Sequence, residues 1–180
     1  MNHLKTALKL FAILLVLVGV IYPIAVTVLA QFVFPEEAAG SLLYDASGKV
    51  TGSALIGQPF SDPQYFWPRP SVTSEYPYNP LASGGSNLGP TNEKLMEQIA
   101  TRADFLKTSG IQDPVPSDLV MASASGLDPH ISLQSALVQI PRVARARNLD
   151  EGTLRNLVLD HVEERQFGFL GEQRVKVLSL

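Results

Sequence analysis

The chain has no cysteine among its 180 residues. That excludes a disulfide, a thiolate metal site and a Cys nucleophile, so any folded domain depends on its hydrophobic core. Histidine is scarce: His3, His130 and His161 stand far apart, with no clustered carboxylates at ligand spacing. No metal site is expected from that set. A basic excess is also missing, since 14 Lys and Arg face 17 Asp and Glu. The net charge is −3, and the −5 left once Lys5 and Lys9 are set aside with the N-terminal tail argues against nucleic acid or an anionic lipid surface as the outer domain's partner. Most telling, charge vanishes altogether between Leu10 and Phe34.

That uncharged stretch of about 25 residues, at a helical rise of about 1.5 Å each, crosses a hydrocarbon core roughly 30 Å thick. Lys5 and Lys9 precede it, while Glu36 and Glu37 follow it. Basic flanks stay on the cytoplasmic side, so residues 1–9 are expected to be a cytoplasmic tail and 10–34 a transmembrane helix. Residues 35–180 are then expected outside the cytoplasm, in a cell (inner) membrane protein whose lipid contact is this one span. Val28-Leu29-Ala30 would pass as a signal-peptidase site, but signal h-regions are shorter, about 7–15 residues, which favours an uncleaved anchor. Setting aside Lys5 and Lys9 leaves 12 basic and 17 acidic residues outside, a net charge of −5. Within the span, Gly19, Pro23, Thr27 and Gln31 recur every fourth residue and form one drifting stripe of small and polar groups. Such a stripe is expected to face a membrane partner rather than lipid.

The outer region is expected to be one α+β or α/β domain. Segments 41–46 and 50–56 flank Ser47-Gly48 and predict a β-hairpin. From Gln58 to Thr91 follow Pro59, Pro63, Pro68, Pro70, Pro77, Pro80 and Pro90, with Tyr65-Phe66-Trp67, Tyr76 and Tyr78 among them. No regular element tolerates that proline density. Helices are predicted over 91–109, 132–147 and from Asp150, with strands at 118–122 and 174–178. On the second helix Ser135, Gln139 and Arg142 share the face opposite Leu133, Leu137, Ile140 and Ala144, which predicts a solvated polar face, with the binding of an acidic group or a partner as the alternative.

Two readings of the Pro-aromatic tract stand side by side. It is either a loop wrapped over its own core or an interaction surface, because Trp, Tyr and Arg are enriched at interface hot spots. Its candidate subunit-interface residues are Tyr65, Phe66, Trp67, Arg69, Tyr78, Asn79, Ser83, Ser86 and Asn87. The run Ser83–Gly89 offers backbone N–H groups to an anion but lacks the lysine of a phosphate loop. Ser125, Asp128 and His130 are the residue types of a hydrolase triad. Asp128-Pro129 also reads as a plain helix opening, with Asp as cap and Pro at the first position.

The motifs then combine. Tyr22-Pro23 and Ala30-Gln31 in the span are followed by Gly52-Ser-Ala-Leu-Ile-Gly-Gln58, Tyr65-Phe66-Trp67, Arg69-Pro-Ser71 and Tyr78-Asn-Pro80. The long blocks Ala82-Ser-Gly-Gly-Ser-Asn-Leu-Gly-Pro-Thr-Asn92 and Ala122-Ser-Ala-Ser-Gly-Leu-Asp-Pro-His-Ile-Ser132 come next, then Gln139, Arg142-Val-Ala144 and Ala146-Arg147. In that order they resemble the C subunit of the bacterial Kdp potassium-transporting P-type ATPase, over the whole chain. Pro68 departs from the family, which has Gly there, and stiffens that turn.

The resemblance implies a small single-span subunit beside a channel-like potassium-binding subunit and a P-type ATPase subunit that together import potassium at the expense of ATP. It implies a non-catalytic, accessory role as a catalytic chaperone. It also matches Gln139 to a glutamine proposed to touch nucleotide. A domain outside the membrane meets no cytoplasmic ATP, so no tightly bound cofactor is expected here and any nucleotide effect is read as indirect. A free-standing anchored ligand-binding module and an anchored hydrolase are the alternatives from other classes.

Overall fold

An apolar helix opens the chain in the computed structural model, which describes residues 2–112 and 114–180. Met1 of the expected tail and Asp113 of the expected outer domain lie outside the described residues. Helix α1 (Asn2–Val16) runs through a π-helical turn, Leu17–Ile21, into α2 (Tyr22–Val33). The turn has a local cause. Pro23 carries no N–H and its ring crowds the Gly19 carbonyl four residues back, so the ladder loosens and Tyr22 N–H reaches back to the Leu17 carbonyl. Pro35 ends the helix by displacing Phe34 to φ −133°, ψ 61°. The stretch His3–Val33, 31 residues, is long and apolar enough to cross a membrane, and it fits a single-pass membrane protein. After the short α3 (Pro35–Ala38), strands β1 (Leu42–Tyr44) and β2 (Val50–Ser53) form the expected hairpin. Asp45 organises its turn by accepting from the backbone N–H of both Ser47 and Lys49, and Gly48 supplies φ +80°.

The chain divides into two compact units, Met1–Ser53 and Ala54–Leu180, with the hairpin in the first. The second is an α+β domain. Its helices are α4 (Glu93–Thr108), α5 (Leu133–Leu137), α6 (Ile140–Arg147) and α7 (Glu151–Asp160). Its sheet has the order β3 (His130–Ser132), β5 (Arg174–Lys176), β4 (Val162–Glu163), antiparallel throughout. Helix α4 begins at Asn92, whose side chain accepts from Lys94 N–H. It ends in a Schellman motif, with Gly110 N–H on the Lys107 carbonyl and Ile111 N–H on that of Leu106. Asp150 caps α7 by accepting from Thr153 N–H, as its position predicts. The core joins Leu106 and Ile111 to Ile131, Val143, Val158 and Val175, and it takes in Phe66 and Trp67 from the Pro-aromatic tract. Full burial of each such aliphatic side chain contributes about 1.5–3 kcal/mol.

Three local expectations give way. The predicted strand 118–122 is instead a single 3-10 turn, Ser117–Leu119, behind Pro116. The Asp118 carboxylate is bound there to Ser132 N–H at 2.7 Å and Ser135 hydroxyl at 2.5 Å, so the segment packs on β3 and α5 rather than extending the sheet. Asp128-Pro129 opens no helix. Asp128 turns its carboxylate onto His130 N–H, and the chain continues as β3. The predicted helix 132–147 breaks into α5 and α6 because Pro141 has no N–H for the ladder and clashes with a carbonyl one turn back.

Candidate functional site

Gln139 occupies that break, and its burial overturns the expected solvated face. Ser135 and Gln139 are fully buried, and Arg142 is 6% exposed. The side chains point at the Pro-aromatic tract and hold it. Gln139 Oε1 accepts from Trp67 N–H at 2.7 Å, while its Nε2 donates to the Trp67 carbonyl at 3.1 Å and the Ser135 carbonyl at 3.0 Å. Arg142 completes the set, donating to Gln139 Oε1 at 2.6 Å, to the Pro63 carbonyl at 2.6 Å and to the Tyr65 carbonyl at 3.1 Å. Its guanidinium lies 3.7 Å from the Trp67 ring centroid, a cation–π contact shielded from water. Burial pushes the Arg142 guanidinium down to about 10, so it stays charged at neutral pH. Arg147 takes the Gln64 carbonyl between them at 2.8 Å. Two arginines thus satisfy the carbonyls of three consecutive residues that no strand or helix pairs. This is how a proline-rich segment is ordered without regular structure.

The rest of the tract is strapped to residues 122–128. Gly57 N–H donates to the Leu127 carbonyl, and Gly84 N–H donates to that of Ser125. Ser71 hydroxyl donates to the Gly126 carbonyl at 2.7 Å and accepts from Tyr78 N–H. Gly57 is required by space: a Cβ there would lie 2.4 Å from the Tyr78 ring. Gly126 is required twice, by φ +68° and by the Gly84 carbonyl, which would be 2.8 Å away from a Cβ.

Of the nine candidate interface residues, Phe66, Trp67, Tyr78 and Asn79 are buried inside the domain. Trp67 stacks on Phe105 at 5.2 Å between centroids, and Asn79 caps the turn Pro80–Ala82 by accepting from Leu81 N–H. Arg69 is half-buried against Asp128, whereas Tyr65, Ser83, Ser86 and Asn87 are exposed. In the span, Gly19, Pro23, Thr27 and Gln31 are all exposed, with Gly19 inside the π-helical turn.

A charged network joins the tract to the sheet. Arg69 Nη1 donates to Asp128 Oδ2 at 3.0 Å, and His130 Nδ1 lies 3.1 Å from Asp128 Oδ1. On its other side His130 Nε2 faces Glu163 Oε2 at 3.4 Å, too poorly aligned to be a hydrogen bond. Arg174 and Lys176 reach the same Glu163 carboxylate at 2.9 and 2.8 Å. The register builds this cluster, because His130 lies opposite Lys176 and Glu163 opposite Arg174 across β5. Partial burial opposes ionisation of Glu163, but the hydrogen bonds from Lys176 and Arg174 outweigh it and bring the carboxyl to about 2. Asp128 follows the same pattern: burial raises it, and the His130 hydrogen bonds together with Arg69 lower it further. Part of the network borders a polar cleft of about 460 Å³ lined also by Asp118, Ser132 and Gln134. Among the described residues no three His, Asp or Glu side chains gather as metal ligands.

Arg147, Gly57, Gly126 and Ser71 stand in the sequence blocks quoted above, but their structural roles were not legible there. Their partners lie tens of residues away, and only the proline density hinted that outside donors were needed. Against known proteins, a family model described as KdpC, K+-transporting ATPase, c chain, matches residues 4–180. The potassium-transporting ATPase KdpC subunits of Geobacter metallireducens and Geobacter sulfurreducens are each 56% identical over 180 residues, covering 100% of this chain and 95% of theirs. That of Methylococcus capsulatus is 53% identical over 181 residues, covering 99% of this chain and 95% of its own. With the match running unbroken from the apolar helix to the C-terminal strand, the chain belongs to the KdpC family, the c chain of the K+-transporting ATPase.

Proposed function

We propose that this chain is an accessory, non-catalytic subunit of an ATP-driven potassium importer. Its single span anchors it beside the other membrane subunits, and its α+β domain works outside the cytoplasm. The observation that carries this reading is the internal use of the polar groups at the domain's centre. Gln139, Arg142 and Ser135 are spent on ordering the Pro-aromatic tract, and both ring nitrogens of His130 face carboxylates. Among the described residues Ser125 Oγ accepts from Leu127 N–H and meets Ser123 Oγ at 3.5 Å, neither of which is a base, and this disfavours the hydrolase reading. The catalytic-chaperone role is proposed to act on the ATPase subunit through assembly. Gln139 has both amide atoms bonded inside the fold, which leaves it none for a nucleotide. In the membrane, the Gly19, Pro23, Thr27 and Gln31 face is proposed to seat against a partner helix, since small residues permit close backbone approach.

A tag at Leu180, detergent extraction and affinity capture test the reading. The potassium-binding and ATPase subunits should be recovered together with this chain. Capture of the chain alone, folded and monodisperse, would favour the free-standing binding module. Orientation follows from a reporter fused after Leu180, which should be active only outside the cytoplasm.

A further inference from the structure

The π-helical turn in the span strips one backbone carbonyl of its donors. In a regular helix the Val18 carbonyl accepts from Tyr22 N–H, four residues on. Tyr22 N–H is bonded instead to the Leu17 carbonyl. The next candidate, a π-type bond from residue 23, is closed because Pro23 has no N–H. One donor is diverted and the other does not exist. Gly19 differs, since Ile24, five residues on from it, carries an N–H. No side chain of the helix takes over at Val18. Between Leu10 and Val26 only Tyr22 has a side-chain donor, and among the described residues its hydroxyl makes no hydrogen bond.

Depth decides what that carbonyl can meet. Val18 stands at the midpoint of the apolar stretch His3–Val33. Hydrocarbon tails hold no donor, water is excluded there, and a carbonyl left unpaired is costly. Gly19 keeps the approach open. A Cβ there would meet only Leu15 Cδ1, at 3.8 Å, so the chain's own packing does not call for glycine, although glycine weakens a helix interior relative to alanine. We infer that a hydroxyl or amide side chain on a transmembrane helix of another subunit of the same complex donates a hydrogen bond to the Val18 carbonyl. The inference rests on the accessory-subunit reading and its membrane span, and it adds the chemistry of the contact. The missing side chain at Gly19 admits the partner helix, and the donor fixes its depth, which apolar packing alone leaves free to slide.

The test uses the labelled full chain in lipid bilayers, alone and assembled with its unlabelled partner subunits. Val18-Gly19 is the only Val-Gly pair in the sequence, so valine labelled at its carbonyl carbon and glycine labelled at nitrogen mark this one peptide in solid-state NMR. Assembly should move the Val18 carbonyl resonance downfield, as a new hydrogen bond does. Pro23→Ala returns Tyr22 N–H to Val18, so the resonance should sit downfield already in that variant alone and stay there on assembly. The variant should also lower recovery of the other subunits after detergent extraction by about fivefold, the scale of one hydrogen bond between membrane helices. A Val18 resonance that assembly leaves in place in the unaltered chain would overturn the inference. So would recovery with Pro23→Ala equal to that of the original. A kink that mattered by shape alone would lower recovery without moving the resonance, and that result also overturns it. Failure of the unaltered chain to bring down the other subunits would instead sink the accessory-subunit reading.

Discussion

The side-chain amide of Gln139 pairs with the backbone of Trp67 from both sides, accepting its N–H at 2.7 Å and donating to its carbonyl at 3.1 Å. A glutamine here does what a neighbouring strand does elsewhere. It closes the hydrogen bonds of an extended, proline-bounded segment that cannot join a sheet.

Gln139→Ala should therefore act on stability. It leaves Trp67 N–H buried without a partner and removes an acceptor from Arg142, at a cost of about 2–3 kcal/mol. Denaturant melts of the full chain in detergent measure it. Calorimetric titration of ATP should show no binding to either form. Micromolar binding that disappears in Gln139→Ala would revive direct nucleotide contact.

Arg142→Lys keeps the charge but loses the planar fork. One ammonium cannot serve the Pro63 and Tyr65 carbonyls and the Gln139 oxygen while stacking on Trp67. A loss of about 1–3 kcal/mol is expected, together with faster proteolysis within the Pro-aromatic tract. A chain as stable and as protease-resistant as the original would show that the guanidinium fork is dispensable.

Gly57→Ala drives a methyl group into the Tyr78 ring and against the Asp128 carbonyl. Overpacking of this kind commonly costs about 1–3 kcal/mol. The variant Gly57→Ala/Tyr78→Leu makes room for the methyl and should recover part of the loss, so the two changes combined should cost less than their sum. Strict additivity would mean that the clash is relieved elsewhere.

Glu163 sets an acid limb. Its carboxyl lies at about 2 in the folded chain against an ordinary value of 4.5. Its contribution to stability is complete above about pH 4.5 and is lost as the pH falls towards about 2. Glu163→Gln should flatten stability across that window. An identical acid limb in the variant would assign acid sensitivity to other carboxylates.

In the span, Gly19→Leu should leave membrane insertion intact while reducing recovery of the partner subunits, because the larger side chain blocks close helix approach. Pro23→Ala restores an N–H donor and should let the π-helical turn relax towards a regular α-helix, which the amide chemical shifts of residues 17–23 would report. Unchanged recovery with Gly19→Leu would leave this face as simple anchor.

What the sequence by itself determined about this protein has short-range causes. The uncharged run means a span, Ser47-Gly48 a hairpin turn, Asp150 a helix start and Gly110 a helix stop, each decided by neighbours a few residues away. The blocks from Gly52 to Arg147 also reveal the family. Pro141 could have announced the break between α5 and α6, since proline in a helix interior has a purely local effect. Tertiary structure alone decided what the polar residues do. Gln139 and Arg142 look like a wet face by periodicity, yet their partners stand 72 and 79 residues away. Trp67 looks like a surface anchor by residue type, yet it is 7% exposed beneath Arg142. The reason is physical: a proline-rich segment lacks a ladder for its carbonyls, and which distant side chains supply the missing donors depends on where the fold brings them.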